Sequence, residues 1–143
     1  MKHFEASGLG RVILLEIERG EKIIESIEEK LNELNIKNAF IASSVGSIKH
    51  LEYHRPLTFE LAATDEYLQV DSPFEIGNIS GTIIDGKAHL HFSVGSFEGL
   101  HIGHIERGTE VLYLAEFTII EIEGLNIERR LTPEKVNKLF PKL

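Results

Sequence analysis

Four of the chain's seven histidines, His89, His91, His101 and His104, fall within sixteen residues. They alternate with apolar neighbours in Ala88-His89-Leu90-His91-Phe92-Ser93-Val94 and Leu100-His101-Ile102-Gly103-His104. Imidazole is the commonest metal ligand among side chains, so the pattern points to a metal site. In a strand successive side chains point to opposite faces: His89, His91 and Ser93 share one face, and Leu90, Phe92 and Val94 the other. The Cα atoms of His89 and His91 then stand about 7 Å apart, close enough for both rings to converge on one ion. A third ligand must come from elsewhere, and His104 or His101 is the nearest. His101 would join His104 only on a helix, because three residues apart on a strand the two face oppositely. Three neutral imidazoles leave one coordination position open for water or a small anion, the ligand set of a catalytic rather than a closed structural zinc site.

Composition narrows the alternatives. The absence of cysteine removes disulfides, thiolate metal sites and cysteine nucleophiles together, so a transition metal must be held by His, Asp or Glu. Three imidazoles also suit copper, nickel or iron. A net charge of −8 disfavours direct DNA binding, which rests on a basic face that releases counterions from phosphates. Gly8-Leu9-Gly10 precedes a strand and lacks the strand-to-helix setting of a phosphate loop. No apolar run reaches the ~18 residues of a membrane span, and Met1-Lys2-His3-Phe4-Glu5 lacks the apolar centre of a secretory signal, so a cytoplasmic location is expected.

The elements that must position the histidines follow from periodicity. Arg11 to Ile17 reads as a mostly buried strand ending at Gly20. From Glu21 to Leu34, Ile23, Ile24, Ile27, Leu31 and Leu34 recur at helical spacing, with Glu21 and Glu25 early and Lys30 late to suit the dipole. Asn38 to Ile48 begins as an apolar strand and turns small and polar at Ser43, Ser44 and Ser47, whose hydroxyls could line a pocket or permit close packing. The strand could continue through Leu51-Glu52-Tyr53-His54 to Pro56, which an edge or an end tolerates. His50 and His54 lie four apart in this extended segment and read as surface residues. Leu57 to Val70 reads as a strand fragment with a loop.

Phe74 to Ile84 leads into Asp85-Gly86, a type I′ hairpin signal that pairs the histidine strand with a neighbour. A further strand runs from Glu110 to Glu121, and Thr132-Pro133-Glu134 opens a short helix through Phe140, with Thr132 as N-cap. The expected fold is α+β: a mostly antiparallel sheet with one long helix packed on one face and a short C-terminal helix.

Taken in order, Gly10-Arg11-Val12, Gly20-Glu21, Ala39-Phe40-Ile41 leading to Val45-Gly46-Ser47, Glu75-Ile76, Ser80-Gly81-Thr82-Ile83, His89-Leu90-His91, Gly103-His104 and Glu116 resemble the PPC (plants and prokaryotes conserved) domain in its stand-alone prokaryotic form. The resemblance spans roughly Arg11 to Ile122. It implies a single domain over 1–143, with a core at about 8–122 and a C-terminal extension at 123–143. It further implies a homotrimer, the histidine strand facing a cleft near a subunit boundary, and a divalent metal, usually zinc, on His89, His91 and His104. The family usually has two glycines before the last histidine, where this chain has Ile102-Gly103-His104. Plant members carry AT-hooks and act as regulatory interaction modules, but no Arg-Gly-Arg-Pro element occurs here.

The same motifs supply Glu75 and Glu116 as candidate general bases for a metal-assisted hydrolase or lyase acting on a small polar substrate in the intersubunit cleft, or as carboxylates that orient a ligand histidine; the partner expected at the metal is a small polar or anionic ligand. Arg11 could bind an anion or pair with a carboxylate. The leading expectation is a metal-binding trimer with no assigned reaction. The hydrolase and the regulatory module stand as its rivals.

Overall fold

The computed structural model describes all of residues 1–143. In chain order the elements are β1 (Gly8–Glu18), α1 (Ile23–Glu33), β2 (Ala39–Pro56), β3 (Asp65–Ile84), β4 (Lys87–Ser96), β5 (Gly99–Ile105), β6 (Glu110–Glu123), β7 (Ile127–Leu131) and β8 (Asn137–Pro141). Six strands form one antiparallel sheet in the order β1-β6-β2-β3-β4-β5.

β2 closes that sheet on itself. Its first half pairs with β6, and its far end pairs with β5 through Tyr53↔Ile105 and His54↔His104. Register shifts at Ile41/Ser43, Gly46/Ile48 and Ile48/His50 account for the change of partner, because each bulge adds local bend and twist. β2, β3, β4 and β5 thus make a closed circuit, with Tyr53, Leu90, Phe92, Val94 and Ile105 turned into a core of 23 buried residues.

The α+β expectation is overturned. The chain is 64% strand and 8% helix, with no long helix on a sheet face. The one helix has eleven residues and buries Ile23, Ile24, Ile27 and Leu31. It starts late because Lys22 is extended and bridges to Glu110. It stops at Asn35, whose left-handed φ of 58° lets its own N–H reach Asn32 O and the Ile36 N–H reach Leu31 O.

The expected C-terminal helix is also absent, and β8 stands in its place, paired from Asn137 to Pro141 with β7. Thr132 does cap, but it caps a turn: its backbone N–H and its hydroxyl both donate to Val136 O, and Lys135 takes a φ of 60°. A segment this short recovers little from helix nucleation, whereas the Ile127–Leu131 strand offers it five residue pairs. The Asp85-Gly86 turn forms as its sequence demands, with φ of 50° and 75°.

Away from the histidine strand, His50 holds two carboxylates, Nδ1 at 2.5 Å from Asp71 Oδ1 and Nε2 at 2.9 Å from Glu52 Oε1. Hydrogen bonding to Glu52 and then Asp71 raises its pKa above the ordinary 6.5. A raised folded-state pKa stabilises the fold below about pH 6.5, and the contribution is lost as pH rises through the folded value. His50→Gln is therefore expected to cost about 0.5–1 kcal/mol at pH 5.5 and close to nothing at pH 9, checked by urea unfolding at both.

Candidate metal centre

Register builds the site. In adjoining strands directly paired residues share a face, and here His91 pairs with His104 across β4–β5, while His104 pairs with His54 across β5–β2. The row continues to Ser80 beside His91 and to Tyr67 beside His54, both on β3. His89, two residues before His91, stands on the same face.

The four imidazoles form one cluster on the outer face of the closed sheet. Ring centroids lie 4.2 Å apart for His54–His104, 4.8 Å for His89–His104, 5.3 Å for His89–His91 and 5.4 Å for His91–His104. His89 Nε2 and His91 Nε2 are 3.3 Å apart. Glu106 joins from the end of β5, its Oε1 hydrogen-bonded to His54 Nδ1. The same oxygen is 3.4 Å from His104 Nδ1, but the geometry is not that of a hydrogen bond, which leaves this buried nitrogen without a partner. Ligand atoms of His54, His104 and Glu106 all lie within 4.8 Å of one another.

The electrostatics favour the neutral form of His89 and of His104. Burial, then the charges of His104 and Arg129, push His89 down to about 4. Burial and then repulsion from His54 also lower His104, against the pull of Glu106. Neutral imidazole is the form that binds a metal.

Two observations fit a divalent ion. Two nitrogen ligands of a tetrahedral zinc, at ~2.0–2.1 Å from the metal, lie about 3.3 Å from each other, the separation of the His89 and His91 Nε2 atoms. His104 also presents a buried nitrogen with no hydrogen bond. The donors lie along a cavity of about 870 Å³ that also takes in Asp65, Tyr67 and Arg129.

His89, His91 and His104 lie in one cluster of rings, while the three donors that all lie within 4.8 Å of one another are those of His54, His104 and Glu106. His101 lies on a strand and faces the other way: its Nδ1 is 3.1 Å from Tyr53 Oη, and its ring meets Phe74 edge-on. Glu75 and Glu116 are exposed and line no part of the cavity. Glu75 pairs with Gly95, four residues along β4 from His91, while Glu116, on β6, pairs with Glu16 of β1 and Val45 of β2. Arg11 chelates Glu121, with Nε 2.8 Å from Oε2 and Nη2 3.1 Å from Oε1. Ser44 and Ser47 knit strands, Ser44 Oγ accepting from Ile79 N at 2.6 Å and Ser47 Oγ from Tyr113 N at 3.2 Å.

His54 and Glu106 join the donor cluster and Arg129 lines the cavity beside it, none of which the sequence reading places there. Glu106 carried a usable signal, since it stands two residues after His104 and so on the same face of an extended chain. His54 carried none, because only the β2–β5 closure brings it round. Gly103 explains the single glycine before His104: a Cβ there would lie 2.7 Å from His54 O and 2.8 Å from Tyr53 Cδ2, whereas the Ile102 side chain is exposed.

The sequence profile of the Plants and Prokaryotes Conserved (PCC) domain, the family abbreviated PPC above, matches residues 4–123. The chain belongs to this family. A comparison with curated proteins finds no match. Among solved structures, a plant- and prokaryote-conserved protein from Pyrococcus horikoshii is 26% identical, with a TM-score of 0.83 over 100% of this chain and 99% of its own. A protein from Archaeoglobus fulgidus described as metal-containing is 26% identical, with a TM-score of 0.79 over 94% of this PCC chain and 95% of that one. A protein from Bacteroides thetaiotaomicron, described as a proposed DNA-binding protein, is 19% identical with a TM-score of 0.77 over 95% and 96% of the two chains; at that identity the likeness speaks for the fold alone. No helix of this PCC chain is long and apolar enough to cross a membrane.

Proposed function

We propose that this chain is a divalent-metal-binding PCC protein, with zinc the ion its donors suit and His89, His91 and His104 as the ligands. The observation that carries the reading is the 3.3 Å separation of the His89 and His91 Nε2 atoms, the span of two ligands on one tetrahedral zinc. The metal-containing description of the Archaeoglobus protein supports it, and the orphaned His104 nitrogen fits an ion held either by this trio or by His54, His104 and Glu106. Glu106 accepts from His54, the ring stacked on His104, and so steadies that ligand through its neighbour. When bound, the ion supplies a Lewis-acid centre in a cavity wide enough for a small molecule.

No reaction is assigned. A hydrolase or lyase would need a base at the cavity, and neither Glu75 nor Glu116 lines it. Metal analysis of protein loaded with zinc and then desalted tests the proposal: about one zinc per chain is expected, and a metal-free product overturns it.

The family resemblance also supports a homotrimer, and the outer face across β1, β6 and β2 offers a surface for it. Val12 and Leu14 are exposed there beside Ile120 and Thr118, and exposed Val45 lies opposite Glu116. Light scattering at micromolar concentration is expected to give the mass of three chains. Leu14→Glu, at a side chain 81% exposed, is expected to reduce it to one without loss of fold. A monomeric wild type rejects the trimer. Direct DNA binding is disfavoured by the net charge of −8, and retention on DNA at physiological salt would count against that view.

A further inference from the structure

One arginine sets the histidine cavity apart from the rest of the surface. Of the six in the chain, Arg11, Arg55, Arg107 and Arg130 each pair with a glutamate, and Arg19 is exposed. Arg129 is only partly exposed and has no carboxylate within the 4.0 Å of an ion pair. Its Nη2 donates to Thr82 Oγ1 at 2.7 Å and its Nη1 to Lys87 O at 3.5 Å. A guanidinium has five N–H donors, so these bonds leave three unspent.

An acidic chain does not lack carboxylates to place beside it. A partly buried charge left without a counterion is costly, and an anion from outside would offset that cost. Burial accordingly lowers the pKa of Arg129.

The surroundings narrow the anion. Arg129 reaches the cavity from the β7–β8 hairpin, beyond the matched residues 4–123, and the hairpin brings Leu131 and Val136 as apolar lining. Lys87 and Lys135 also line the cavity, neither of them in an ion pair. Asp65 and Glu106 face the cavity too, and they would repel a dianion such as a phosphate monoester. The volume of about 870 Å³ exceeds what a bare inorganic ion fills. Arginine matches a carboxylate through two parallel N–H···O bonds.

We propose that the histidine cavity binds a small organic acid with an apolar body, whose carboxylate is held by Arg129. The proposal rests on the metal reading in that it assigns a ligand to the same cavity, but its physical support is Arg129, so the two can fail separately.

Calorimetric titration with butyrate and with inorganic phosphate tests it, on wild type, Arg129→Gln and Arg129→Lys, each zinc-loaded and again after chelation. Zinc stoichiometry is expected to be the same in all three proteins. Butyrate is expected to bind the wild type in both metal states, at least about tenfold more weakly to Arg129→Gln, and with intermediate affinity to Arg129→Lys, which keeps the charge but loses the fork. Should Arg129→Gln not fold, the drop from wild type to Arg129→Lys carries the comparison. No butyrate binding by wild type, or equal affinity in wild type and the folded variants, overturns the proposal. Phosphate binding more tightly than butyrate overturns the monocarboxylate assignment. Arg129-dependent butyrate binding without any zinc uptake sinks the metal reading alone.

Discussion

His91→Ala is expected to abolish uptake of the zinc proposed for this site. Loss of a hydrogen-bonded partner behind a ligand already weakens metal sites by about 10- to 100-fold, and removing a ligand outright should exceed that, so the variant should emerge from desalting empty. Two structural facts make His91 the informative choice. Its Nε2 is one of the pair 3.3 Å apart, and its side chain is exposed, so truncation costs little packing and leaves the fold intact. His54→Ala is the necessary companion. His54 stacks on His104 and is tied to Glu106, yet it is not a ligand in the proposed set, and it should keep near-stoichiometric zinc with affinity reduced less than about tenfold. The opposite outcome, zinc kept by His91→Ala and lost by His54→Ala, would move the ion to the His54, His104 and Glu106 group. Chelation supplies an independent readout. Metal at a thousand times its dissociation constant stabilises the native state by about 4 kcal/mol, so its removal from wild type should lower the melting temperature by roughly 10 °C, and His91→Ala should not respond.

The parts of this site that were legible in the sequence are those set by local geometry. His89 and His91 share a face because strand side chains repeat every two residues, and Asp85-Gly86 turns because both residues can take positive φ. His104 joined them through a family motif, and the β4–β5 register puts it directly opposite His91. What stayed hidden depends on contacts between distant segments. His54 looked like a surface residue because nothing near it in sequence announces that the far end of β2 leaves β6 and pairs with β5. Arg129 was invisible for the same reason. Its strand exists because Asn137–Pro141 pairs with it, and that pairing outweighed the local helix signal of Thr132-Pro133. The α-helix was read correctly in its buried stripe and overextended at both ends, where Lys22 and Asn35 obey tertiary and turn geometry instead of periodicity.

Gly81→Ala should destabilise the fold by about 3–5 kcal/mol, the upper end of single-substitution effects, and carry the metal site down with it. Gly81 sits on β3 opposite Leu90 with a φ of 139°, outside the range that side chains adopt readily. A Cβ there would lie 2.1 Å from His89 O and 3.1 Å from the Leu90 Cα. Both obstacles are backbone, so no rotamer change relieves them, and β4 must move away from β3 at the residue that carries His89. Gly86→Ala separates the two components of this cost. Gly86 also has positive φ, 75°, but a Cβ there meets nothing within 4 Å, so it should lose only about 1 kcal/mol of backbone preference. The difference between the variants measures how closely β3 grips the histidine strand. Thermal unfolding should show a fall of roughly 10 °C or more for Gly81→Ala against a few degrees for Gly86→Ala. Zinc titration of whatever folded Gly81→Ala remains should show weakened binding, although no donor has been removed. Equal stability for the two variants would mean that β4 yields freely at His89, and a strand that yields there could not hold two imidazole nitrogens at the spacing of a zinc ion.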